Sequence, residues 1–209
     1  PLDIVKIQES DLFIYNGGEG DVWVDGILES LERPVTSFAM MDCVETVEEE
    51  IVEGMQAEND EEEPELDEHV WTSPENAIKI VSAISEKLCE ADPDHAEQFK
   101  QNTAGYIEEL KELDSRFRKI SEESQGRPMV FGDRFPFRYF ADAYGFDYFA
   151  AFPGCSSDSE PSASTIAFLI DKVKAEKIPA VFAIEFSNRK IADTISKATG
   201  TEILEFHSC

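Results

Sequence analysis

The chain has 209 residues, 42 % of them hydrophobic and 11 % aromatic, which is enough to bury a sizeable core in one or two domains. Its 45 acidic against 18 basic side chains give a formal charge of −27. Such a surface repels phosphate backbones and anionic headgroups, which argues against nucleic-acid binding and against direct docking on an anionic membrane.

No signal-like segment opens the chain, and no apolar run approaches the roughly 18 to 20 residues of a membrane span. Pro1 opens inside a polar, helix-like stretch, so the chain is expected to be processed or a fragment. "DLFIYN" (11–16) reads as a short strand ending in Gly17-Gly18. "DVWVDGILESLE" (21–32) reads as a helix with Val22, Ile27, Leu28 and Leu31 turned inward, and "VTSFAMM" (35–41) as a second strand. Residues 42–68 then hold 14 acids and no Lys or Arg. The expectation is a solvated, partly disordered acidic loop that folding does not need; a cation collector beside a metal site is the alternative.

His69 leaves that acidic run just before "VWTSPEN", where Ser73 fits an N-cap and Pro74 a first helical residue. Ala77, Val81, Ile84 and Leu88 form the stripe of the helix that follows, and Asp92-Pro93 breaks it. Phe99, Tyr106, Leu110, Leu113, Phe117 and Ile120 then mark a helix of about 27 residues, most easily understood as a brace between two lobes. After Gly126 the pattern alternates. "PMVF" (128–131), "DYFAAF" (147–152), "AVFAIEF" (180–186) and "EILEF" (202–206) read as strands, and helices run from Phe135 to Tyr144, Ser162 to Lys177 and Asn188 to Thr199.

Such a series predicts a parallel sheet covered on both faces, with ligands taken where loops leave the carboxyl ends of strands. Asp133, Cys155, Glu185 and His207 all fall at those ends. Asp133 reads equally as a helix cap before Phe135, and Glu185 as an acceptor that orients an imidazole. A Cys155–His207 dyad oriented by Glu185 is the competing hydrolase reading, although neither flank carries a nucleophile-elbow or thiol-protease pattern. A surface interaction module built on the acidic loop is a third reading, and that loop lacks EF-hand spacing. None of the four cysteines forms a CxxC pair, which counts against a zinc ribbon or thioredoxin-type site.

"DLFIYNGGEGDVWVDGILESL", "DEHVWTSPENA", "VFGDRFPFRYFADAYG" and the stretch from "SEPSAS" to "TEIL" together resemble the metal-binding solute receptors of ABC uptake systems, the zinc and manganese group. The resemblance covers nearly the whole chain in order. It implies an α/β fold of two lobes with parallel sheets flanked by helices, bridged by one long helix. Residues 1–73 would be a partial first lobe carrying acidic loop 42–68, 74–125 the bridging helical region, and 126–209 the second lobe.

The resemblance also implies His69, Asp133 and His207 as metal ligands, with Glu185 as ligand or second acceptor. That set leans to zinc over manganese because imidazole nitrogen suits zinc while manganese prefers more oxygen. Further implications are no enzymatic chemistry, an ABC permease as partner, and an extracytoplasmic home, periplasmic or on the outer face of the cell membrane with an adhesin-type lipoprotein's lipid anchor outside this chain. On this resemblance the sequence as given is expected to start after the family's opening strand–helix unit, which brings a first histidine, and to stop before its closing helix, and the turn after "VF" reads Gly132-Asp133-Arg134 where the family has His or Glu. Cys155 and Cys209 each follow a strand of the second lobe, and some zinc receptors carry a disulfide at similar places, so a 155–209 bridge is expected.

Overall fold

The computed structural model describes residues 2–55, 65–155 and 160–208. Within them the chain is α/β, with two parallel sheets, flanking helices and one long helix. It divides into two compact units, the first made of Pro1–Thr46 and Pro74–Asp114 and the second of Val47–Ser73 and Ser115–Cys209. This differs from the lobes read in the sequence: the acidic stretch from Val47 onward groups with the second unit, and the helices after Ser73 group with the first as far as Asp114.

In the first unit α1 (Leu2–Glu9) precedes β1 (Leu12–Tyr15), which pairs in parallel with β2 (Thr36–Ala39) from Leu12↔Thr36 to Tyr15↔Ala39. The turn after β1 needs glycine: Gly17 and Gly18 have φ of 95° and 84°, and the Gly17 N–H donates to Asp21 Oδ2 at 2.9 Å. Helix α2 (Trp23–Ser30) connects the strands. Its buried residue is Val24 and not Val22, which is 71 % exposed, because a 3-10 turn over Glu19–Asp21 shifts the helix start by two residues. Helix α3 (Pro74–Ala91) packs on β1 and on the 3-10 turn Met40–Cys43, and it buries Asn76, Ile80 and Ser85 while the expected stripe is only half-buried. Pro93 ends that run, and α4 (Ala96–Ser124) extends for 29 residues.

The second unit is a four-stranded parallel sheet in the order β4-β3-β5-β6, with β3 Met129–Phe135, β4 Tyr148–Pro153, β5 Ala180–Ile184 and β6 Glu202–Phe206. Side chains alternate across it. Val130, Ala151, Val181 and Ala183 face α6 (Ala163–Ala175) and α7 (Lys190–Thr199), while Met129, Phe131, Phe135 and Ala150 face α5 (Arg138–Tyr144) and Phe117 of α4. Strand β3 runs to Phe135 where a helix was expected, because Phe135 and Phe137 are drawn into the aromatic layer and the helix can begin only at Arg138. Gly132 allows close approach: a Cβ there would lie 2.6 Å from the Ala192 backbone in α7. Among the described residues no helix is long and apolar enough to cross a membrane.

The acidic run is not uniformly solvated. Residues 47–55 form a strap along edge strand β4. Glu49 Oε1 accepts the Cys155 N–H at 2.6 Å just past the end of β4, and Glu50 Oε2 meets Arg138 at 2.6 Å and the Tyr148 hydroxyl at 3.2 Å at its start. Glu53 pairs with Lys172 at 3.0 Å, whose ammonium lies over the Phe149 ring at 4.5 Å. Val52 and Met55 join the aromatic layer, and Gly54, at φ +86°, lies against Phe168 so closely that a Cβ would be 2.1 Å from the ring. These contacts cover an exposed sheet edge, a place where proteins resist adventitious pairing. The remainder of the run, 56–64, lies outside the described residues.

Two outcomes follow in denaturation experiments. Gly132→Ala lowers the unfolding free energy by about 1–3 kcal/mol, since α7 must back away from β3. Deleting Glu48 to Glu63 lowers the thermal midpoint well beyond a few degrees; an unchanged midpoint would mean that the strap contributes nothing to folding.

Candidate metal centre

The connections after β3 and β5 diverge to opposite sides of the sheet, so a crevice is expected between the carboxyl ends of these neighbours. The ladder itself loosens there. β3 pairs with β5 only at Phe131↔Phe182, and its register against β4 shifts between Phe131 and Arg134. Asp133, 8 % exposed, fills the gap: Oδ1 accepts the Arg134 N–H at 2.9 Å and Oδ2 the Ile184 N–H at 3.3 Å. It lies inside β3, so it caps no helix, and both oxygens serve backbone donors.

The segment 67–71 crosses this rim. His69 Cε1 lies 3.1 Å from where a Cβ on Gly154 would be, beside Phe135 and Pro136, which places the ring at the ends of β4 and β3. Two residues on, Trp71 Nε1 donates to the Ser208 carbonyl at 2.8 Å, beyond the end of β6, and the two rings lie 5.6 Å apart. Ser208 in turn donates through N and Oγ to Glu185 Oε1 at 2.9 and 2.6 Å, just past β5. Burial works against the Glu185 charge, but the two Ser208 hydrogen bonds and the nearby His207 outweigh it and hold the carboxyl below its ordinary range. His69 and Glu185 are thus linked through Trp71 and Ser208.

His207 goes elsewhere: it is largely exposed, with Nε2 3.5 Å from Glu205 Oε1, and Arg189 pairs with the same carboxylate. Among the described residues no three His, Cys, Asp or Glu side chains converge on one point that could hold a metal.

What organises His69 is a residue the sequence reading did not single out. Asp67 is 1 % exposed, and its Oδ1 accepts the His69 backbone N–H at 2.8 Å and sits 3.1 Å from His69 Nδ1. The first contact is an Asx turn, in which an Asp oxygen takes the N–H two residues on. A carboxylate only accepts, so in the neutral imidazole the second contact assigns the proton to Nδ1 and leaves the Nε2 lone pair for a cation. The ring is mostly buried, with 19 % of its side chain exposed. The Asp-x-His spacing of "DEH" carries this arrangement in the sequence, masked there by the surrounding acids.

The cysteines do not support nucleophilic chemistry. Cys43, Cys89 and Cys155 carry free thiols; Cys209, the expected partner of Cys155, lies outside the described residues. Burial pushes the Cys155 thiol up to about 12, with Glu49 and Asp67 adding to the rise and a Glu68 backbone hydrogen bond opposing it. A thiol nucleophile needs the opposite shift, and the dyad's histidine stands apart beside Glu205.

The whole chain, residues 1–209, matches the family model described as "Zinc-uptake complex component A periplasmic". It is 34 % identical over 202 residues to the zinc-binding lipoprotein AdcA of Streptococcus pneumoniae (strain ATCC BAA-255 / R6), covering 95 % of this chain and 40 % of that protein. It is 32 % identical over 210 residues to the high-affinity zinc uptake system protein ZnuA of Bacillus subtilis (strain 168), covering 98 % of this chain and 65 % of the relative. The chain therefore spans less than two thirds of either relative's length. The crystal structure of the Zn(II)-bound ZnuA-like domain of Streptococcus pneumoniae AdcA superposes with a TM-score of 0.70 at 31 % identity, over 98 % of this chain and 71 % of that one.

Two measurements check this geometry. A Cβ on Gly154 would meet the Phe135 carbonyl at 3.0 Å and the His69 ring at 3.1 Å, so Gly154→Ala shifts the ring by a few tenths of an ångström, read as displaced His69 ring resonances against the parent. The raised Cys155 value means the folded protein keeps a proton that the unfolded chain sheds above its ordinary range. Stability is therefore fully present at lower pH and falls as pH rises from about 9 toward 12. Cys155→Ala shows a shallower alkaline decline than the parent, and equal slopes would contradict the burial argument.

Proposed function

Because this chain belongs to the zinc-uptake complex component A family, we propose that it captures a divalent transition metal, zinc in preference to manganese, and hands it to an ABC permease. The observation that carries the reading is His69: a nearly buried imidazole at the carboxyl ends of a parallel sheet, its Nδ1 committed to a buried carboxylate and its Nε2 left as donor. That carboxylate–histidine arrangement fixes ring orientation and raises ligand basicity toward a metal. Imidazole nitrogen suits zinc, and both curated relatives are named for zinc.

The remaining donors follow from accessibility. His207 at the end of β6 is exposed and within reach of solvent cations, so it serves as the second nitrogen donor once a metal is present. Glu185 supports the rim through Ser208. Asp133, occupied by two backbone donors, holds β3 to β5 and gives the weakest support for a ligand role. The family's periplasmic description and the lipoprotein relative support a place outside the cytoplasm, and the proposed capture and hand-over needs no covalent chemistry.

Calorimetric titration with zinc tests the reading. His69→Ala abolishes or severely weakens binding, and Asp67→Asn, which keeps the shape but loses the acceptor charge, weakens it about 10–100-fold. His207→Ala weakens it less. Parent-like binding by His69→Ala would refute the reading, and parent-like binding by His207→Ala would remove His207 from the donor set.

A further inference from the structure

Val47 and Asp67 face each other as an antiparallel pair in which one hydrogen bond is made and its counterpart is opened. The Asp67 N–H donates directly to the Val47 carbonyl at 2.9 Å. The reciprocal groups, the Val47 N–H and the Asp67 carbonyl, are bridged by the Tyr139 hydroxyl, which accepts from Val47 N at 3.2 Å and donates to Asp67 O at 2.7 Å. One and two residues farther along each segment the pairing is direct again, through the Glu48↔Leu66 bridge and the Glu49 N–H to the Glu65 carbonyl at 2.8 Å. The phenol is therefore spliced into the base of a two-stranded hairpin.

Tyr139 is 5 % exposed and Asp67 1 %. Water has little access to replace the hydroxyl, and groups left unpaired there carry their full desolvation cost. Arg138, the preceding residue of α5, holds the same strap through Glu50 at 2.6 Å. Helix α5 thus grips the strap twice, and the second grip lands on the residue whose side chain orients His69.

We propose that Tyr139 is a positioning residue for metal capture: it sets where the Asp67 carboxylate stands, and through it the tautomer and orientation of His69. The inference rests on the reading of His69 as a zinc donor. Without the hydroxyl, either the Val47 N–H and Asp67 carbonyl stay unpaired or the hairpin closes on itself and draws Asp67 away from α5. In both cases the Asp67–His69 pair loses its fixed geometry while the rest of the sheet is untouched.

The test compares Tyr139→Phe with Tyr148→Phe. Tyr148 is also buried, but its hydroxyl bonds Glu50 and not the Val47–Asp67 junction. Zinc affinity is read by chelator competition, and the His69 tautomer by long-range proton–nitrogen correlation on metal-free protein. Tyr139→Phe weakens zinc about 10–100-fold and disperses the Nδ1–H signature of His69, whereas Tyr148→Phe leaves both as in the parent.

Parent-like affinity and tautomer in Tyr139→Phe overturn the proposal, and so does equal loss in both variants, which would report general loosening. If Tyr139→Phe fails to fold, Val47→Pro, which removes the N–H donor to the phenol and also fixes φ at that residue, is read by the same His69 tautomer measurement and zinc affinity. His69→Ala run alongside separates the two claims: unchanged zinc binding there defeats the functional reading, while the tautomer measurement still decides the role of Tyr139.

Discussion

The buried carboxylate of Asp67 holds the segment that passes the carboxyl ends of β3 and β4. Asp67 takes two contacts from His69, gives its N–H to Val47 and its carbonyl to Tyr139, so backbone and side chain are both committed. Burying a carboxylate is costly unless it is hydrogen-bonded, and here the compensating donors are the backbone N–H and ring Nδ1 of His69. His69 is fixed because the carboxylate beside it is itself held by backbone contacts on both sides.

The same economy explains the acidic strap. A chain with a formal charge of −27 gains solubility and attraction for cations from its surface, but Glu49, Glu50 and Glu53 are also structural, tying the strap to Cys155, Arg138, Tyr148 and Lys172. Three of those partners lie along edge strand β4 or on the helix beside the aromatic layer. The strap thereby closes the sheet edge and delivers the hairpin base that carries Asp67 to its place under Tyr139. Edge protection and placement of the Asp67–His69 pair are one device.

Much of this was legible in the residues. "PMVF", "DYFAAF", "AVFAIEF" and "EILEF" marked all four strands of the second sheet, and Gly17-Gly18 and Gly200 marked the turns that need positive φ. The family resemblance was carried by four stretches, "DEHVWTSPENA" among them, and the family model matches the whole chain. What escaped were long-range pairings. Nothing local says that a glutamate at 49 meets the amide at 155, or that a tyrosine at 139 is inserted between residues 47 and 67. Charge density alone made 47–55 look solvated, since apolar Val52, Met55 and Gly54 are too sparse to show periodicity. Asp133 was readable as an acid at a strand end, but its role depends on the neighbouring strand, which local sequence does not display.

Zinc location tests the central claim most directly. Crystals grown with zinc and measured at the zinc absorption edge should show an anomalous peak about 2.0–2.1 Å from His69 Nε2, with Nδ1 still on Asp67. A fully occupied zinc remote from His69, with that imidazole unchanged, would contradict the account.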